Sequence, residues 1–204
     1  MSTPPTEPNE PSLSPSERER LQKLYNHGNQ QMLKSGFDYA NDMFTHCVLG
    51  DPGNVLYFKT FLANLKKKYG DKPKKGMLSF LSGSNIKKTV ARRPEQVLQA
   101  GAAALAANPW DADTLVGMGG ACEELGHHDV AIEYYRAAVE AEPKSYEVNH
   151  VCCKALREIA AFDEAMHCVA RMLKVKPGDQ VAVKLQKDIT VERTIHKGQY
   201  AMGD

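Results

Sequence analysis

The chain has 204 residues, 42% of them hydrophobic, and 26 Lys or Arg against 25 Asp or Glu leave it a formal net charge of +1. That length makes one domain or two small ones, and near-neutral charge argues against a protein that coats a polyanion with its whole surface. No apolar run approaches 18 residues and no signal-peptide pattern is present, so a soluble, cytoplasmic protein is expected. No strand alternation stands out, so the expected class is all-α. Five cysteines at helix-core spacing do not read as a disulfide framework.

Residues 1–13, MSTPPTEPNEPSL, are rich in Pro, Ser, Thr and Glu, bury little, and are expected to stay disordered. Ser14-Pro15-Ser16-Glu17 then reads as a capping box with proline at the first helical position, which starts a helix near residue 15. Residues 21–54 form a first unit of two helices, marked by Gly28, Phe37, Ala40, Phe44 and Pro52. Residues 55–69, VLYFKTFLANLKKKY, make a further helix with Phe58, Phe61, Leu62 and Leu65 on one side. Its match is 93–109, RPEQVLQAGAAALAANP, with Val97 and Ala104 in frame. Between them 70–92 is a basic insert, with a short helix expected at about Asn85–Arg92; alternatively 70–84 is a linker between two small domains.

Beyond it, Asp111, Ser145 and Asp179 each precede an apolar pattern and read as N-caps, while Pro143 and Pro177 stop the preceding helices. Residues 180–195 form a closing helix with Val181, Leu185 and Ile189 inward, and 197–204 read as a frayed tail. The tail stops without a breaker, as a fragment of a longer chain would. The expected segments are therefore 14–69, the insert 70–92, and 93–196.

A period of 34 residues links Ala131 to Ala165 and Pro143 to Pro177. Leu115, Met118, Gly119, Cys122, Ala131, Tyr135, Ala138 and Pro143 mark one unit; Asn149, Cys152, Cys153, Leu156, Phe162, Ala165 and Pro177 mark the next. This pattern resembles the tetratricopeptide repeat, and the chain as a whole is similar to bacterial repeat proteins of uncharacterised role. The resemblance implies a short α-solenoid of stacked antiparallel helix pairs with a C-terminal capping helix.

Nothing in the sequence supports catalysis. No Gly-rich phosphate loop, G-x-S-x-G or H-E-x-x-H occurs. Cys152, Cys153, His167 and Cys168 invite a zinc reading, but they come as two adjacent pairs rather than C-x2-4-C, and buried cysteine often acts as a small hydrophobe. Packing is the expectation, with no metal and no cofactor. His127 and His128 read as a solvated turn, and His46 and Cys47, neighbours on a helix, point apart.

The resemblance further implies that first helices of successive units line a concave groove for a protein or peptide partner. On the positions that face inward in the family stand Tyr25, Asn29 and Met32, then Val116, Gly120, Glu123 and Glu124, then His150, Lys154, Arg157 and Glu158. Of the Lys/Asn/Arg clamp that chaperone-binding members use on a terminal carboxylate, only Asn29 is kept, with Tyr25 where lysine is expected. His150, Lys154 and Arg157 share a helix face; the competing reading is inter-repeat ion pairing, such as Arg157 with Glu123. The second candidate surface is the basic stretch 64–93, with Lys66, Lys67, Lys68, Lys72, Lys74, Lys75, Lys87, Lys88, Arg92 and Arg93 against one acid, Asp71. It would meet a nucleic acid or another polyanion. An interaction module without catalysis is the leading expectation, and a polyanion-binding adaptor is the runner-up.

Overall fold

Local chemistry sets where each helix begins. Ser14 accepts from the Glu17 amide at 3.3 Å while Glu17 accepts from the Ser14 amide at 3.0 Å, closing a reciprocal cap on α1 (Pro15–Leu33). A computed structural model describes residues 13–70 and 93–201. Within them follow α2 (Phe37–Gly50), α3 (Val55–Tyr69), α4 (Pro94–Ala107), α5 (Ala112–Glu124), α6 (His128–Ala141), α7 (Tyr146–Glu158), α8 (Phe162–Val175) and α9 (Gln180–Ala201). The described residues contain no strand, and none of their helices is long and apolar enough to cross a membrane. Asp111, Ser145 and Asp179 cap α5, α7 and α9 by accepting from the amides of Thr114, Val148 and Ala182. The helices α2, α4, α6 and α8 each end two residues before a proline, at Pro52, Pro109, Pro143 and Pro177.

Three helix pairs form antiparallel hairpins: α1 with α2, α5 with α6, and α7 with α8. Each turn reverses through one residue in the left-handed region, Ser35 (φ 60°), Gly126 (φ 79°) and Ala160 (φ 58°), which occupy the same position of their units. The hairpins close tightly because a small residue on the first helix meets a ring on the second. A side-chain carbon at Gly28 would lie 2.7 Å from Phe44, and one at Gly119 would lie 2.7 Å from Tyr135. Ala40, Ala131 and Ala165, fully buried, keep the same seam narrow in all three. The hairpins α5–α6 and α7–α8 stack directly, and α3 and α4 join α1–α2 to them in a tetratricopeptide-like solenoid, with one core running from Leu21 through Phe44, Leu115 and Tyr134 to Ile189.

The middle departs from the repeat. Lys59 of α3 pairs with Glu133 of α6 at 3.1 Å, and Lys66 with Glu140 at 3.8 Å, so the two helices run side by side in the same direction. The Tyr69 hydroxyl donates to the Ala106 carbonyl at 2.8 Å, which brings the C-terminal ends of α3 and α4 together. α3 and α4 are therefore not the hairpin expected from 55–69 and 93–109. α3 packs on α2 and α6, and α4 packs on α5. Freed from the hairpin frame, α4 buries Leu98, Ala102 and Leu105, each one to two residues from the expected Val97 and Ala104, which are half-buried.

The closing helix also differs. Its buried face is Ala182, Leu185 and Ile189, and Val181 is 49% exposed. It continues through Ala201, past the boundary expected at 197. Residues 1–12 of the expected tail 1–13 and 71–92 of the insert 70–92, including the short helix at 85–92, lie outside the described residues.

Candidate functional site

The face built by α5 and α7, packed against each other as the first helices of adjacent hairpins, carries most of the expected groove residues. Gly119 and Gly120 stand consecutively on α5. Gly119 lets Tyr135 cross beneath the helix, and the Tyr135 hydroxyl then emerges beside Gly120, where an added side-chain carbon would sit 3.8 Å away in ordinary contact. That hydroxyl donates to Oε2 of Glu123 at 2.5 Å. Burial raises the Glu123 carboxyl above its usual range; the Tyr135 hydrogen bond and His128 oppose this, and nearby Glu158 adds to it. Tyr135 itself is raised by burial and by the carboxylate it serves. Val116 is half-buried on the same helix.

On α7, His150 is half-buried with its ring 6.1 Å from that of Tyr146, and Lys154 is exposed with no ion-pair partner among the described residues. Arg157 is placed differently from the expectation. Its guanidinium makes a two-pronged pair with Glu192 of α9, at 2.7 and 2.5 Å, and not with Glu123. This pair holds the Glu192 carboxyl below its usual range and ties the closing helix to α7. Of the eleven expected groove residues, α5 carries Val116, Gly120, Glu123 and Glu124, and the adjacent α7 carries His150, Lys154, Glu158 and Arg157, the last engaged by Glu192.

Tyr25 and Asn29 stand elsewhere. The Tyr25 ring packs 5.3 Å from Tyr57 and 6.0 Å from Phe44, with its hydroxyl 3.1 Å from that of Thr60. The Asn29 side chain donates back to the Tyr25 carbonyl. Tyr25 thus knits α1 to α2 and α3, while Asn29 turns back onto its own helix.

Four members of the basic stretch are described. Lys66 pairs with Glu140, Lys68 with Asp38, and Lys67 and Arg93 are exposed. Lys72, Lys74, Lys75, Lys87, Lys88 and Arg92 lie outside the described residues.

The cysteines are core residues. All five are buried and free. Burial raises the thiols of Cys47 and Cys153 to about 11 and those of Cys122 and Cys168 to about 12, and Cys152 is raised as well. Such thiols hold little of the thiolate that nucleophilic or metal chemistry needs. Among the described residues no group of three or more His, Cys, Asp or Glu is placed to hold a metal ion. His127, expected in a solvated turn, is half-buried with its ring against Gly53.

The opposite side of the stack holds two shallow cavities missing from the sequence reading. One, of about 140 Å³, has a floor of Phe58, Leu62 and Ala137 under Lys59, Glu133 and Arg136. The other, of about 160 Å³, lies between α6 and α8, among Arg136, Val139, Leu156, Glu164 and His167. The one sequence signal for them is the polar ridge Glu133, Arg136 and Glu140 along α6, since the partner helix α3 comes from outside the repeat frame. Arg136 is held there by Glu133 and Glu164, at 2.6 and 2.8 Å.

No family model matches the chain, and no curated protein matches it. Among solved structures it is similar to a MamA protein crystal structure at 14% identity, covering 90% of this chain and 96% of that one with a TM-score of 0.35. It is also similar to MamA AMB-1 at 17% identity, covering 82% and 98% with a TM-score of 0.33.

Proposed function

We propose that the chain is a tetratricopeptide-type interaction module that holds a peptide or protein partner on the α5–α7 face without catalysis. The observation that carries this reading is the composition of that face around Gly120. Small and half-buried apolar positions, Val116 and Gly120, share α5 with Glu123, held by Tyr135, and the adjacent α7 offers His150 and Lys154. A partner's backbone can approach at Gly120, and flanking charges can select its side chains. The raised thiols of the five buried cysteines favour binding over chemistry.

The polyanion reading through 64–93 is weaker because Lys66 and Lys68 already face carboxylates on α6 and α2. A photo-crosslinking residue placed at Val116, and separately at Glu140 on the opposite side, tests the assignment in the cell of origin. Capture of one partner from position 116 and not from 140, lost with His150→Ala/Lys154→Ala, is the expected result. Arg157 is left intact because its loss would loosen α9. Capture from 140 alone, or capture of nucleic acid abolished by neutralising Lys72, Lys74 and Lys75, would overturn the reading.

A further inference from the structure

We infer that the outward strip of α9 is a self-association surface, on which a second copy of this chain pairs antiparallel through its own α9. Solenoids need a polar outer face on their terminal unit. Here the last helix exposes three large apolar residues among its polar ones: Val181, Val191 and Ile195 are 49%, 58% and 55% exposed. At ~100° per residue these three, with Lys184 and Asp188, fall within an arc of about 80°. The helix cannot roll to hide them. Ala182, Leu185 and Ile189 are buried on the inner side, and the pairs Arg157–Glu192 and Arg193–Asp163 tie the helix to α7 and α8.

The strip is complementary to itself. A two-fold axis crossing α9 at the level of residue 186 sets Val181 opposite Val191 and Lys184 opposite Asp188, and the symmetry repeats both contacts. Lys184 is exposed with no ion-pair partner among the described residues, so its charge is available for the second copy, while Asp188 is half-buried and its charge also acts on Arg157. A head-to-tail contact lacks this match. The outer face of α1 presents Arg18, Glu19, Gln22 and Lys23, which would set charged groups against the valines. An isologous contact closes on itself as a dimer, and one helix per copy makes it a small interface with concentration-dependent assembly.

Sedimentation equilibrium of the 204-residue chain, from micromolar to millimolar concentration, reads the assembly directly. The expected result is a monomer–dimer equilibrium that Val191→Asp shifts to monomer with an unchanged thermal melt, since the position is exposed. Lys184→Asp alone places like charges opposite each other and weakens the dimer roughly tenfold. Adding Asp188→Lys to the same chain restores it. As an independent check, Val181→Cys mixed with Val191→Cys forms a mixed disulfide dimer, whereas Val181→Cys alone does not. The native cysteines are all buried and do not interfere. A chain monomeric throughout, a dimer indifferent to Val191→Asp, failure of the charge swap to restore pairing, or self-linking of Val181→Cys alone would each overturn the inference.

Discussion

Phe58 of α3 stacks on Tyr134 of α6 with ring centroids 3.8 Å apart, and both rings are buried. This contact fastens a helix from outside the repeat frame onto the stack. Phe58→Ala should therefore destabilise the chain by about 3–4 kcal/mol, the range for a buried ring replaced by a void. Lys59→Ala, one residue on, removes only an exposed partner of Glu133 and should change stability by less than ~1 kcal/mol. Urea unfolding followed by circular dichroism checks both; equal effects would show that the ring contact does not hold α3.

Neighbouring glycines on α5 should respond in opposite directions. Gly119→Ala drives a methyl to 2.7 Å from the Tyr135 ring and should destabilise by about 1–3 kcal/mol, as overpacking does. Gly120→Ala meets nothing closer than the Tyr135 hydroxyl at 3.8 Å, and it should stabilise by up to ~1 kcal/mol through helix propensity. Thermal melts of the two single variants decide the matter, and a destabilised Gly120→Ala would contradict the open position described for the groove.

The left-handed turn position offers a third test. Gly126 adopts its φ of 79° without strain, whereas Ser35 and Ala160 hold theirs against a steric penalty of about 1–2 kcal/mol. Ser35→Gly and Ala160→Gly should each raise stability by ~1 kcal/mol despite the extra freedom glycine gives the unfolded chain. Gly126→Ala should lower it by a similar amount. Denaturation midpoints that move the other way would show the turns to be relaxed.

Glu123 predicts a pH signature. Its carboxyl is raised in the folded state, chiefly by burial, so folding favours the protonated form. The associated stability is complete below the unfolded carboxylate value and is lost as pH rises through the raised one. Glu123→Gln keeps an acceptor for Tyr135 and removes the charge. Its melting temperature should exceed that of the parent at pH 7, and the two should converge near pH 4, where the parent is protonated as well. A gain that is the same at both pH values would place the effect outside this carboxyl.

Much of the fold is legible in the residues. Ser14, Asp111, Ser145 and Asp179 announce helix starts by their own hydrogen-bonding chemistry, and the 34-residue step from Ala131 to Ala165 marks the narrow seam of each hairpin. The place of α3 is not legible, because pairing Lys59 with Glu133 joins residues far apart in sequence and outside the period. The turns at Ser35 and Ala160 are hidden for a different reason: neither residue type signals a positive φ. On the candidate site, position within the repeat assigns Val116, Gly120 and Glu123 to α5 and His150 and Lys154 to α7, two helices that pack together. It fails for Tyr25 and Asn29 because the row of first helices is interrupted, and for Arg157 because Glu192 lies beyond the last full repeat.

The parallel contact of α3 with α6 changes how the molecule should come apart. A regular solenoid touches only its neighbours, so it can melt from one end, unit by unit. Phe58 and Tyr134 bridge across that nearest-neighbour order, and α4 and α5 lie between them in the chain. The N-terminal hairpin therefore cannot leave together with α3 without stripping α6 of its cover. Closing so long a stretch of chain slows folding but couples the two ends, so fluorescence from Trp110 and helix signal should be lost in a single concerted transition.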